Sequence, residues 1–283
     1  MKKIAKSILL KLTWNTIGRK NLVRLGRFLS NEARLDVQNN PATNGEQNVQ
    51  LQVLKQAQSR ESLCVFDVGA NVGHWTQSFL EFGARVNRPV FIHAFEGCEK
   101  TCVTLESNLK QNGFLHLVKV NNLTLSSSKW KRQFYSTGLN AGSNGLYPLN
   151  EVNLEKQIVT DVETETIDGY CAQNSISHID YIKVDTEGHD LEILYGCKEL
   201  FAAGAVDIAQ FEYNHRWINS RHYLRDAFDY FVPMGYALGK ITPNGIEFYP
   251  AWDFELETFR EGNYLVVKQS LKLIFPQIRW WKE

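Results

Sequence analysis

The segment Cys64-Val65-Phe66-Asp67-Val68-Gly69-Ala70-Asn71-Val72-Gly73 constrains the fold of this chain more than any other. An apolar strand reaches an acid, crosses a turn with two glycines and enters an apolar-periodic stretch, Trp75, Phe79, Leu80 and Phe82. Glycines let the backbone approach a ligand and a helix start offers unpaired N–H groups. Such a strand–turn–helix opens an α/β fold and grips a nucleotide-like molecule at the carboxyl end of the first strand. The pattern departs from the dinucleotide fingerprint, because Gly69 and Gly73 do not make G-x-G-x-x-G and Asp67 stands two residues before the first glycine. A carboxylate there repels a pyrophosphate and suits a cationic ligand without phosphates.

The rest of the sequence sets bounds on the class. A chain of 283 residues with 43% hydrophobic content can fill one large domain with an appendage. Lysine plus arginine and aspartate plus glutamate are both 31, so no overall field favours nucleic acid as a partner. Five cysteines without a C-x-x-C pair argue against a disulfide framework or zinc site and suit a reducing, cytoplasmic compartment.

Residues 2–34 carry nine lysines and arginines against Glu32 alone, interleaved with apolar residues such as Ile4, Leu9, Trp14, Leu22, Leu25, Phe28 and Leu29. Lys6 and Lys11 break the apolar run and no small-residue cleavage site follows, which disfavours a signal peptide. The roughly 20 apolar residues of a membrane span are missing. Two readings stay open: an arm lying on an anionic membrane surface, or a helix packing on its own domain or on a second subunit of a homodimer.

The chain divides into the arm and a polar linker over 1–50, an α/β domain over 51–270 and an apolar-basic tail over 271–283. Residues 36–50 read as linker, and Leu51–Gln58 as a short helix. Strands at 65–68, 90–95 and 115–121 alternate with helices at 74–82 and 99–112, a rhythm that implies a parallel sheet covered by helices. Extended pieces at 123–125, 133–135 and 158–164 surround a Gly/Asn/Ser-rich loop, 138–145, which is either a flexible connection or, the favoured reading, a substrate-side flap. Strands at 179–184 and 206–211 and helices at 167–173, 190–203 and 222–233 resume the rhythm. Strands at 236–241, 246–249 and 264–268 give an antiparallel finish.

Ligands of open α/β sheets bind outside the carboxyl ends of the strands, and four acids sit there: Asp67, Glu96, Asp185 and Glu212. Each alone can be a cap or turn residue; together they suit one shared crevice. Glu96 follows the strand Phe91-Ile-His-Ala-Phe95, where a carboxylate can accept both ribose hydroxyls. In Tyr181-Ile-Lys-Val-Asp185-Thr-Glu-Gly188-His189-Asp190, alternation puts Lys183 and Asp185 on one face, so Lys183 needs an acid partner. A glycine turn with acids around it fits S-adenosylmethionine, a nucleoside that is a cation.

The set Val65-Phe66-Asp67-Val68-Gly69-Ala70-Asn71-Val72-Gly73, Phe95-Glu96, Lys183-Val184-Asp185-Thr186-Glu187-Gly188 and Gly262-Asn263-Tyr264-Leu265 resembles the FkbM-type methyltransferase family over roughly residues 60–268. The resemblance implies a class I, Rossmann-like fold with a seven-stranded, mostly parallel sheet containing one antiparallel strand and helices on both faces. It implies S-adenosylmethionine as donor and O-methylation of a hydroxyl on a glycan, glycolipid or related natural product. By position, Asp67, Gly69, Ala70, Asn71 and Gly73 would line the methionine end of the cofactor, Glu96 would hold the ribose, and Asp185 and Glu187 would floor the active site. Two positions depart from the family pattern: Gly97 stands where proline is common, and His189 where a small residue is usual.

Methyl transfer to a hydroxyl needs an in-line acceptor and removal of its proton. Phe211-Glu212-Tyr213-Asn214-His215-Arg216-Trp217 supplies His215, favoured as general base, and Glu212; Glu212 and, from the 181–190 patch, Asp185 are further catalytic candidates. Tyr213 and Trp217, with Tyr223 and Trp252, offer stacking surfaces for an acceptor or are core residues. Asp185, Glu187 and Glu212 have the hard oxygens of a Mg²⁺ or Ca²⁺ site, but their spacing is no recognised ligand pattern, and no metal is assigned. A catalytically silent scaffold working through its basic arm is the alternative. An NAD-linked oxidoreductase is disfavoured by Asp67 and the missing third glycine.

Overall fold

Strand β1, Leu63–Val68, feeds two hydrophobic cores because its side chains alternate across the sheet. Phe66 and Val68 pack on one face with Phe95, Ile182 and Phe211, while Leu63 and Val65 pack on the other with Trp75, Phe79 and Tyr181. The computed structural model describes residues 14, 16–36, 40–56, 61–138, 142, 144–148 and 157–282. Residues 1–13, half of the expected flap (139–141 and 143) and part of the linker (37–39) lie outside them.

The chain forms two compact units, Met1–Asn39 and Asn40–Glu283. The first holds helix α1, Arg19–Ala33. The second begins with α2 (Glu46–Gln56), followed by β1, α3 (His74–Arg85), β2 (Val90–Phe95), α4 (Glu99–Gln111) and β3 (Val118–Asn121). Next come β4 (Thr124–Leu125), β5 (Lys131–Ser136), β6 (Ile158–Glu165), α5 (Ile167–Gln173) and β7 (Ile179–Val184). After β7 run α6 (Asp190–Tyr195), α7 (Lys198–Ala202), β8 (Val206–Tyr213), α8 (Trp217–Ser220) and α9 (Leu224–Phe231). The last strands are β9 (Tyr236–Thr242), β10 (Gly245–Tyr249), β11 (Gly262–Lys268) and β12 (Gln277–Ile278).

The main sheet has nine strands in the order β12-β10-β9-β11-β8-β7-β1-β2-β3. Strands β8, β7, β1, β2 and β3 pair in parallel, as the βα rhythm of the sequence requires. The expected seven strands with one antiparallel member are corrected: β11 runs antiparallel to β8 and β9, and β10 antiparallel to β9, with β12 parallel to β10. Two local features add the extra edge. The Thr242–Gly245 register leaves a two-residue hairpin loop, Pro243-Asn244, and the Pro276 carbonyl accepts the Ile246 N–H at 2.8 Å. The extended pieces in the middle of the chain form a separate three-stranded sheet, β4-β6-β5.

Two helices differ from the periodicity reading. Helix α2 starts at Glu46, inside the polar stretch, because the buried Glu46 carboxylate accepts from Asn44 (2.6 Å), Gln210 (2.7 Å) and Asn263 (3.2 Å). The single helix expected over 190–203 breaks at Gly196, where a Cβ would lie 2.1 Å from the Ser126 carbonyl oxygen. Tertiary contact overrides local propensity at both places.

Candidate functional site

The turn after β1 and the turn after β7 meet at the carboxyl end of the sheet. Gly69 has φ +79°, and a Cβ there would lie 2.0 Å from the Asp185 carbonyl oxygen, so no other residue fits. The Asp185 N–H donates to the Val68 carbonyl (3.0 Å), fixing the two turns together. Gly73, φ +92°, ends the turn as the N-cap of α3.

Glu96 follows β2 and is 7% exposed. Its Oε2 accepts the Asn71 N–H (3.0 Å) and its Oε1 the Cys98 N–H (2.8 Å). Burial raises its pKa against the pull of those two donors. Both oxygens keep lone pairs for further donors.

A cleft opens here. Gly69, Asn71, Glu96 and Asp185 line it, as do Thr124, Leu125, Thr186 and His189, and so do Gly142, Asn144 and Gly145 from the expected flap and the adjoining Leu146. Among the described residues, no lysine or arginine lines it. Three buried side-chain oxygens of lining residues, Asn71 Oδ1, Thr124 Oγ1 and Thr186 Oγ1, have no hydrogen-bond partner. Unsatisfied buried polar atoms are uncommon, and a ligand with hydroxyl or amine donors would satisfy them.

Asp67 lies behind this wall rather than in it. It is fully buried, its Oδ2 accepts the Thr76 hydroxyl (2.6 Å), and its Oδ1 is 3.7 Å from Lys183 Nζ. Lys183 Nζ also approaches Asp185 Oδ2 at 3.1 Å. Burial pulls the Lys183 pKa down, but Asp185, Asp67 and Glu46 outweigh it and raise the value, so the ammonium stays charged. Lys183 therefore anchors Asp185, which reaches the cleft with a side chain 34% exposed.

The loop after Asp185 is tied by Asp190, whose oxygens accept the Thr186 N–H (3.2 Å) and the Gly188 N–H (3.1 Å). Burial and the Asp185 charge push Asp190 up to about 8. Glu187, at φ +61°, pairs with Arg216; burial and Asp185 outweigh that guanidinium and raise Glu187 to about 7.

The expected site residues thus separate. Gly69, Asn71, Glu96 and Asp185 share the cleft, whereas Ala70 and Gly73 shape the turn without lining it. Glu212 is buried against Asn214 (2.6 Å), and burial followed by the charges of Asp185 and Asp190 raises its pKa. His215 is exposed and outside the lining. Tyr213 and Trp217 are fully buried, donating to Glu257 (2.7 Å) and to the Glu212 carbonyl (2.8 Å), and offer no stacking face. Glu187 does not line the cleft.

Sequence reasoning missed His189 as a site residue, although it follows the dense 181–188 patch. It is 1% exposed, with Nε2 3.0 Å from Ser126 Oγ and Nδ1 3.2 Å from Tyr147 Oη. Burial lowers it to about 4, so the imidazole is neutral at physiological pH. Thr124 gave no signal, since only the small sheet brings it to the cleft.

Asp185 and Glu187 each take a cation from the chain itself, Lys183 and Arg216. Among the described residues, one trio has metal-ligand spacing, His178, Asp180 and Asp207, at the opposite end of the sheet. There Lys268 already holds Asp207 at 2.6 Å and the Cys64 N–H holds Asp180 at 2.8 Å.

Comparison with known proteins bears on this geometry. The family model for the methyltransferase FkbM domain matches residues 67–261. A methyltransferase FkbM from Methylobacillus flagellatus KT is similar over 76% of this chain and 47% of its own, at 14% identity and TM-score 0.45. The chain thus spans about half the length of that protein. TrmK of M. capricolum, in complex with S-adenosyl-homocysteine, is similar over 83% of this chain and 71% of its own, at 10% identity and TM-score 0.41. A precorrin-6y C5,15-methyltransferase from Geobacter metallireducens GS-15 is similar over 78% of this chain and 88% of its own, at 11% identity and TM-score 0.38. No curated protein matches the sequence.

Proposed function

The chain belongs to the FkbM methyltransferase family, and from that membership we propose that it moves a methyl group from S-adenosylmethionine to a hydroxyl oxygen. One observation carries the choice of cofactor. The cleft joins a glycine turn to two carboxylates and has no lysine or arginine among its described lining residues, which suits a cationic nucleoside and opposes a pyrophosphate. The unpartnered oxygens of Asn71, Thr124 and Thr186 fit a ligand rich in donors. In this reading the Glu96 carboxylate holds the ribose hydroxyls, while the Gly69 turn and Asp185 face the methionine end.

The bound cofactor supplies an electrophilic methyl on a sulfonium. The chain's own part is to exclude water, orient the acceptor and handle its proton. Asp185 is the cleft carboxylate left to take that proton once Glu96 holds the ribose; His189, held near 4 by burial with both ring nitrogens engaged, is a poor acceptor for it, and His215 is set aside because it does not line the cleft. For the acceptor we favour a hydroxyl of a glycan, glycolipid or related natural product. A cleft without lysine or arginine among its described lining residues gives a nucleic-acid backbone little to bind there.

Calorimetric titration tests the reading. S-adenosylmethionine should bind and NAD should not, with Glu96→Gln weakening the former by at least about tenfold. Binding of neither ligand would favour the silent scaffold. With a labelled methyl group, an ether product survives mild alkali, whereas alkali-labile label would point to an ester and against a hydroxyl acceptor.

A further inference from the structure

Helix α1, Arg19–Ala33, buries none of its 15 residues. At 100° per residue, Leu22, Leu25 and Leu29 fall within about 60° of one another, and Lys20, Arg24 and Arg27 occupy about the same width on the opposite side. Leu25, Phe28 and Leu29 are 46%, 58% and 56% exposed. A helix of this length is marginal in water unless its apolar face is covered. At about 22 Å it is too short to cross a bilayer, and among the described residues no helix is long and apolar enough to do so.

Charge identifies the cover. Nine of the 31 cations and one of the 31 acids lie in residues 1–34, so this segment carries net +8 and the remaining 249 residues carry net −8. Within α1 itself the only acid is Glu32, against Arg19, Lys20, Arg24 and Arg27. An anionic surface attracts this segment and repels the rest of the chain. We propose that α1 docks on an anionic lipid bilayer, lying in the interface with Leu22, Leu25 and Leu29 in the acyl boundary and the basic side in the headgroup region. This inference does not depend on the methyl-transfer reading, because it uses neither the cleft nor a cofactor.

The test is sedimentation of the full chain with vesicles of phosphatidylcholine alone or mixed with phosphatidylglycerol, with and without added salt. The chain should pellet with the phosphatidylglycerol mixture, lose binding as salt rises, and remain in solution with pure phosphatidylcholine. Leu25→Glu with Leu29→Glu should weaken binding roughly a hundredfold. Each of Lys20→Gln, Arg24→Gln and Arg27→Gln should weaken it about fivefold. An unchanged unfolding transition keeps the variants interpretable. Equal binding to neutral vesicles, no binding at any phosphatidylglycerol content, or variants that bind like the parent would overturn the proposal. So would a soluble dimer that Leu25→Glu with Leu29→Glu dissociates while vesicle binding is absent, which would assign the face to a second copy.

Discussion

Strands β7 and β8 carry charged groups at both of their ends, and the two ends of the sheet do different things. At the amino end, Asp180, Asp207, His178 and Lys268 satisfy one another: His178 Nε2 is 3.0 Å from Asp207 Oδ2, and Lys268 Nζ is 2.6 Å from Asp207 Oδ1. At the carboxyl end, Asp67, Lys183 and Asp185 are also paired, yet the turns beside them leave a cleft and unpartnered oxygens. Acid content does not separate the ends. Gly69 does, because its missing side chain lets two turns approach and leaves backbone where a Cβ would stand.

Breaking the carboxyl-end cluster should have the largest effect. Lys183→Met leaves Asp67, Asp185 and Glu46 without their shared cation, and we expect a loss of about 3–5 kcal/mol in urea unfolding. A loss below about 1 kcal/mol would mean that these acids are protonated and need no cation. Gly69→Ala comes next, with about 2–4 kcal/mol from a left-handed alanine and its clash with Asp185, together with lost cofactor binding by calorimetry.

Protonation sharpens the comparison further. The Glu187 pKa is raised from 4.5 to about 7, so its contribution to stability is full below about 4.5 and is lost as pH rises through about 7. Relative to Glu187→Gln, the parent should lose roughly 1–2 kcal/mol between those limits, read from unfolding curves at the two pH values. Equal slopes for the two proteins would contradict the shift. The amino end has the opposite sign and the smallest effect. Burial opposes ionisation of Asp207, but His178 and Lys268 hold its pKa below 3.8. Its stabilisation is present above that value and fades as pH falls through the lowered one. Asp207→Asn should cost about 0.5–1 kcal/mol at pH 7 and almost nothing in strong acid, with cofactor binding unchanged.

Much of this organisation is legible in the sequence because its causes are local. Apolar runs ending in acids give strands and their carboxyl ends, and a glycine pair before an apolar-periodic stretch gives the turn. Glu96 and Asp185 are found in this way. Helix α2 is misjudged at its start because Glu46 is polar, and only its contacts with Gln210 and Asn263, more than 160 residues away, explain its burial. His215 and Glu212 fail to reach the cleft for a related reason: proximity to a strand end in sequence does not fix the direction of a side chain.

By itself the sequence determined a doubly wound α/β domain, the glycine turn after its first strand and a basic, amphipathic arm, since each follows from periodicity, glycine spacing or charge along the chain. The tertiary structure alone decided which acids line the cleft. Parallel register sets Asp67 opposite Lys183, and that pairing buries one acid as a support while leaving Asp185 at the cleft. It also brought His189 into the wall, through Ser126 and Tyr147 from distant parts of the chain. Which face a side chain takes is a property of strand pairing, and strand pairing is fixed only when the whole sheet is assembled.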